Sequence, residues 1–482
     1  MDKLNKIIKK LNAEEYHNLL ESIGVDKKSK PYQVLSTARI KDLTDSEMME
    51  LLDVNSSTYY TLKSRLVHKV ATALSQKPIN ELKEKVANVG ASIFDSNKFV
   101  SIKVLKELEK QLIEYDLSNE LIIMYKTLAI LHLFDEEAEH YSKLYERHVA
   151  FSLAVSKAED LLYQFIKGLG IYRLTRREED LDRLDNIRRE LFNIGELYKS
   201  HRLFVIQSIV RIYYMCTFST VEELQTSRAD VERIIEEVKQ TFFKYDLDIF
   251  YQNYQILVHF MYFEYYQRSN SISKSYYHFE KANALLPQIL QKHIMNFFTV
   301  QFLQTKLCKY LVDRDLKDLL EMNSELESNL EIQENEVYHY VNANLFLLTI
   351  KFYEGDYSIA AKGMNDIRNK LSLRAYPHAD IECRLFQALQ YCILGDETLC
   401  QQIIQSTKRL LQDLKEDYEN AHLFLKVLKT AMKTSDLRTK VKKITKVWDE
   451  FSHANNGSRQ ILPYIHLDDK LLHRMANPLK TN

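Results

Sequence analysis

The chain has 482 residues, with 66 Lys plus Arg against 67 Asp plus Glu, and a formal net charge of -1 leaves no global footprint for nucleic acid or a membrane surface. Nine Gly and six Pro are too few for many strands joined by tight turns, while 45% hydrophobic and 28% charged residues exclude long disorder. The five Cys (Cys216, Cys308, Cys383, Cys392, Cys400) are odd in number, scattered and without a C-x-x-C pair, which argues against a disulfide framework or zinc knuckle and fits a reducing, cytoplasmic setting.

Residues 1 to 23 carry Leu4, Ile7, Ile8, Leu11, Leu19, Leu20 and Ile23, a spacing that predicts one or two short amphipathic helices stopped at Gly24. The N-terminal segment is charged throughout and lacks the apolar run of a signal peptide. After Pro31 a tighter unit follows. Thr44 or Asp45 can cap a helix ending near Leu52, and Asn55 or Ser56 a second running from about Ser57 to Leu74, with Pro78 closing the unit. Two helices joined by about three residues have the spacing of a helix-turn-helix.

From about Asn80 to Phe451 the chain shows helix-length apolar patterns separated by short polar breaks, with no strand alternation. The longest apolar stretch, Leu203 to Phe218, is interrupted by Gln207, Ser208 and Arg211 and is too short and polar to span a bilayer, so no membrane partner is expected. Antiparallel helix pairs stacked side by side are the economical way to bury so many single apolar stripes.

Three segments carry a more specific pattern. In LLTIKFYEGDYSIAAKG, Gly355 and Asp356 form a turn, Tyr357 opens the next helix and Ala360 is the small residue at the helix crossing; in FQALQYCILGDETLCQQI, Gly395 and Asp396 repeat the turn, Ala388 is small on the first helix and Cys400 stands where Ala360 stood. In EYYQRSNSISKSYYHFEKANALLP the second helix carries Ser275, Phe279 and Ala282 and is closed by Pro287, with Arg268 to Ser271 in place of Gly-Asp. These segments resemble the tetratricopeptide repeat, a 34-residue helix-turn-helix unit, although Gly355 and Gly395 lie 40 residues apart, the connector RNKLSLRAYPHAD taking up the excess.

The resemblance implies an all-α fold: a right-handed α-solenoid of tetratricopeptide-like hairpins over residues 80–451, with a small N-terminal helical domain over 1–78 and a C-terminal tail over 455–482. That tail, with Ile461, Leu462, Ile465, Leu467, Leu471 and Leu472, is too apolar to float and is expected to dock on the last repeats. Carried over by spacing, a peptide-binding groove would present Phe260, Glu264, Gln267 and Arg268, then Asn342, Leu345, Thr349 and Phe352, then Glu382, Leu385 and Leu389. This departs from the repeats that clamp a C-terminal carboxylate with Lys and Asn, and a mixed apolar and amide groove suits a helical or extended peptide. The other reading of the same positions is burial by neighbouring helices or by the chain's own tail.

Residues Asp45 to Leu66 resemble the helix-turn-helix of bacterial regulators, which implies candidate DNA contacts from Ser56, Ser57 and Thr58 at the helix start and from Lys63, Arg65, His68 and Lys69 along it. Asp53 and Met49 depart from that pattern, where Gly and a small residue are usual. Fifteen Lys plus Arg against twelve Asp plus Glu in residues 1 to 90 add little charge, and a cap for the end of the stack is the alternative. Lys426 to Lys446 holds eight Lys or Arg against Asp436 alone, the pattern of a surface for an anionic partner or of a solvated outer face. Four Glu-x-x-His pairs (Glu14 with His17, Glu137 with His140, Glu336 with His339, Glu419 with His422) lie too far apart along a linear stack for a di-metal centre. With no phosphate loop, H-E-x-x-H or nucleophile elbow, the expectation is a non-enzymatic scaffold with no metal or cofactor, binding a protein or peptide; the alternative is a transcriptional regulator whose solenoid senses a partner.

Overall fold

The computed structural model describes residues 29–41, 43–95, 98–245, 248–289, 336–414, 418–433, 436–455 and 459–479, together with a few isolated positions before 29 and between 302 and 307. The helices expected over residues 1 to 23 fall largely outside these, although Ile8 and Leu19 are buried. Every regular element among the described residues is helical, and none of these helices is long and apolar enough to cross a membrane. The chain divides into two units, Met1–Ala154 with Glu237–Tyr254, and Val155–Glu236 with Gln255–Asn482.

The first unit contains α1 (Lys30–Ile40), α2 (Asp45–Leu52), α3 (Ser56–Asp95), α4 (Lys98–Glu114), α5 (Ser118–Leu131) and the beginning of α6 (Glu137–Thr175). Helix α2 starts at a capping box, with Thr44 Oγ1 accepting from the Glu47 N–H and Glu47 accepting from the Thr44 N–H at 2.7 Å. It ends where Asp53 turns left-handed (φ 48°), and Asn55 Oδ1 accepts from the Thr58 N–H at 2.8 Å to start α3. The apolar side of this turn, Met48, Leu52, Tyr59, Leu66 and Val70, packs with Val34 and Leu35 of α1 into one small core. Helix α3 does not stop near Leu74: it continues through Pro78 to Asp95, and Leu82, Val86 and Val89 enter a second core with Leu105, Leu108, Met124, Tyr125 and Leu128 of α4 and α5. That second apolar stripe outweighs the local cost of Pro, about 3 kcal/mol in a helix interior.

The second unit continues α6 and adds α7 (Glu178–Leu197), α8 (His201–Phe218), α9 (Val221–Thr226), α10 (Arg228–Lys244), α11 (Ile249–Arg268) and α12 (Ile272–Ile289), with α10 and α11 crossing the unit boundaries. Helix α12 runs two residues past Pro287, where a stop was expected. Its most regular part is α13 (Val337–Glu354), α14 (Tyr357–Lys370), α15 (Pro377–Leu394), α16 (Glu397–Leu414), α17 (Glu419–Met432) and α18 (Leu437–Ala454). These form three consecutive helical hairpins, and the first helix α15 touches both other first helices, α13 and α17. Ala360, Ala388 and Cys400 are fully buried at the crossings, and the Cys400 thiol donates to the Ala388 carbonyl at 3.4 Å. A last short helix, α19 (Asp469–Ala476), packs on α15, α17 and α18.

Candidate partner-binding site

The groove positions read from the sequence divide by burial. Phe260, Leu345, Thr349, Phe352, Leu385 and Leu389 are all at most 3% exposed, and Asn342 is buried with its amide turned onto the Tyr338 carbonyl of its own helix at 2.8 Å. Phe260 packs against the rings of Tyr213, Phe263 and Phe302, and Phe352 against Tyr357 and Phe386. Glu264 is half-buried, while Gln267 and Arg268 are exposed and Arg268 donates to the Ser219 carbonyl at 3.2 Å. Most of these side chains hold helices together, and Glu382 bonds a non-helical chain segment.

That segment is the chain's own residues 459–466, and it is held chiefly through its main chain. Asn455 at the end of α18 both donates to the Ile461 carbonyl (2.8 Å) and accepts from the Ile461 N–H (2.9 Å). Asn420 of α17 donates to Asn455 Oδ1 (2.9 Å) and to the Arg459 carbonyl (2.8 Å). Glu382 of α15 accepts from the Leu462 N–H at 2.9 Å, and the Tyr353 hydroxyl of α13 donates to the Tyr464 carbonyl at 3.0 Å. Contributions therefore come from all three first helices and from the end of α18. Between these bonds Ile461, Leu462, Tyr464 and Ile465 are buried, with the Tyr464 ring 5.9 Å from that of Phe386. Leu462 adopts φ 47°, a strained conformation for a bulky residue, and beyond α19 the Leu479 N–H donates to the Ile393 carbonyl at 2.9 Å.

The site is sparing of free charge. Burial pushes the Glu382 carboxyl up to about 7, against the lowering effects of the Leu462 N–H and Arg176. Burial also holds the His378 imidazole well below its usual value; its Nδ1 lies 3.4 Å from the Tyr418 hydroxyl, and Arg459 sits 5.4 Å over the Tyr418 ring. Nothing in the sequence singles out Tyr353, Phe386, Asn420 or Asn455. Their types are common on any helix, and only the fold brings them together under one non-helical segment.

In the first unit the nucleic-acid candidates are placed as follows. Ser56, Thr58 and Arg65 are exposed, whereas Lys63 bonds both oxygens of Asp45 at 2.8 Å beside the Tyr59 hydroxyl, 3.0 Å from the same carboxylate. Burial raises the Asp45 carboxyl and Lys63 and Tyr59 lower it, the lowering being the larger in sum. The side chains of Ser57, His68 and Lys69 lie outside the described residues.

Of the basic run, Lys426 pairs with Glu450 at 2.8 Å and Lys440 is buried, while Lys433, Lys442, Lys443 and Lys446 are exposed. Glu336 and His339 bond each other at 2.6 Å; Glu137, His140, Glu419 and His422 are exposed, and Glu14 lies outside the described residues. Among the described residues no three His, Cys, Asp or Glu side chains converge as metal ligands. Burial pushes the thiols of Cys216 and Cys383 up, away from nucleophile chemistry. No family model, curated protein or solved structure matches the chain.

Proposed function

We propose that the chain is a non-enzymatic binding protein, with tetratricopeptide-like hairpins in its second unit, that takes up a non-helical, turn-containing polypeptide segment across its first helices. The observation that carries this reading is the set of main-chain bonds from Asn420, Asn455, Glu382 and Tyr353 to residues 459–466. Side chains that recognise backbone amides and carbonyls tolerate many sequences, and the burial of Leu462 and Tyr464 adds selectivity. The chain's own tail stands where a partner segment would lie.

The tail is held with little to spare. Ordering its eight residues costs about 1–2 kcal/mol each. Four buried apolar side chains return about 1.5–3 kcal/mol each and the hydrogen bonds about 1 kcal/mol each, so the terms nearly cancel. Tethering nevertheless gives the tail an effective concentration on the order of millimolar, which shuts out a free peptide at micromolar levels.

The test follows from that tether. A fluorescent peptide of residues 459–467 added to the full chain should show no saturable anisotropy change with the wild type, but should bind a Leu462→Ala/Tyr464→Ala chain. Adding Asn455→Ala to the double variant should abolish that binding. Absence of binding to the double variant under conditions where its Trp448 fluorescence shows the fold intact would refute the proposal.

A second reading, DNA binding, is favoured by one observation in the first unit: α2 and α3 are joined by a three-residue turn, with its apolar side packed on α1 and Ser56, Thr58, Tyr60, Thr61, Ser64 and Arg65 exposed on α3. With Lys63 occupied by Asp45, Arg65 is the exposed basic side chain that the described residues of this face offer. Mobility shifts with the full chain on genomic fragments should then show sequence-selective binding that weakens between 50 and 200 mM salt, as counterion release requires, and that Arg65→Glu removes. Binding unchanged by Arg65→Glu would discard this face.

A further inference from the structure

The connection between α14 and α15 encloses a pocket of about 330 Å3, and none of its lining residues takes part in holding the tail. Three arginines line it: Arg368 near the end of α14, Arg374 in the short 3-10 turn that follows, and Arg384 on α15. Among the described residues the one acid in the lining is Asp380. Arg384 grips Asp380 with two N–H bonds of 2.8 and 2.9 Å and spends a third, of 3.0 Å, on the Ser406 hydroxyl. Arg384 and Asp380 therefore form a closed bidentate pair, fixed by α15 itself.

Asp380 also pairs with Arg368, so the described lining carries two more positive charges than negative ones. Arg368 donates from Nη1 to Gln387 at 2.9 Å, but its Nε is enclosed and makes no hydrogen bond, lying 3.5 Å from Asp380. Burial, and then the charge of Arg384, push the Arg368 guanidinium down against the pull of Asp380. Arg374 is exposed at the mouth. The remaining wall is mostly apolar, formed by Leu371, Leu373, Pro377, Leu410 and Leu414 with Ser372 beside them, and the volume lies at the small end of the range for ligand sites, roughly 300 to 1,000 Å3.

We infer that this pocket binds a small organic oxyanion, a carboxylate or phosphate monoester carrying an apolar body, with the anion between Arg368 and Arg374 and the apolar part against the leucines. Planar guanidinium groups suit both kinds of oxyanion, and a half-buried site strengthens the attraction relative to a surface Lys. The inference does not depend on the tail-binding reading, since the two sites share no residue.

The experiment is calorimetric titration of the full chain at low salt with phenylacetate, phenyl phosphate and inorganic phosphate. Saturable binding of at least one aromatic anion, tighter than that of inorganic phosphate, is expected, and which of the two binds identifies the anion class. Arg374→Glu should weaken it by roughly tenfold or more and Arg374→Gln by less, as expected for loss of a charge-assisted bond. Because Arg374 is exposed, the unfolding curve of each variant without probe should match the wild type. No saturable binding of either aromatic anion, affinity no better than that of inorganic phosphate, or equal affinity in Arg374→Glu would each overturn the inference.

Discussion

Asn270, Asp53 and Asp116 stand at helix ends where the backbone turns left-handed, with φ of 56°, 48° and 55°. Each closes its helix with the same pair of bonds that Gly355 and Gly395 make: the turn residue's N–H to the carbonyl three residues back, and the next N–H to the carbonyl five residues back. A short polar side chain tolerates this conformation at a modest cost, so the turn that Gly-Asp makes in the later hairpins can be formed without Gly. The two glycines differ in surroundings. A Cβ at Gly355 would meet nothing within 4 Å, whereas one at Gly395 would come within 2.8 Å of the Leu479 carbonyl oxygen, where the tail's last bond lands on α15. Gly355→Ala should therefore cost about 1 kcal/mol, the conformational penalty alone. Gly395→Ala should cost about 1–2 kcal/mol more, because backbone must also shift. Urea unfolding followed by Trp448, the one tryptophan of the chain, measures both; equal losses would mean that the tail end is not seated at Gly395.

Among the helices, legibility follows chemistry. The α2–α3 turn is readable because capping residues act within a few positions: Thr44, Glu47 and Asn55 bond their own helix starts. The hairpins around Gly355 and Gly395 are readable because left-handed turns and close crossings admit few residue types. The end of helix α3 is not, because Pro78 is a strong local signal, while the stripe of Leu82, Val86 and Val89 that carries the helix onward acts through α4 and α5. The groove expected from the sequence is legible only as a set of positions. Spacing places Leu345, Phe352, Leu385 and Leu389 on the first helices, but a residue between two layers and one facing an open groove share the same period, and burial separates them. The tail clamp and the arginine pocket join residues as far apart as Tyr353 and Tyr464, or Arg368 and Leu414, which no local pattern records.

For the folded chain taken together, the same clamp couples stability to pH through Glu382. Burial raises its carboxyl to about 7 in the folded chain from the ordinary 4.5, so the native state holds this proton more tightly than the unfolded one. Glu382 imposes no penalty below about pH 4.5, where it is protonated in both states. Between about 4.5 and 7 folding has to retain a proton that the unfolded chain releases, and above 7 the full penalty of an ionised, buried carboxylate is present. Folding stability should thus fall by roughly 2 kcal/mol as pH rises from about 5 to 8, since each tenfold gain in proton affinity is worth about 1.4 kcal/mol, the Leu462 N–H and Arg176 preventing a larger loss. Glu382→Gln keeps an acceptor for the Leu462 N–H and removes the ionisation, so its stability should change less over that interval and exceed that of the wild type at about pH 8. Trp448, packed against Phe424 and Phe451 on the helices that carry Asn420 and Asn455, reports unfolding of this unit rather than of the chain at large. If wild type and Glu382→Gln lost the same stability between about pH 5 and 8, the buried carboxyl under the tail would not be the titrating group, and the coupling would have to reside in other side chains of the unit.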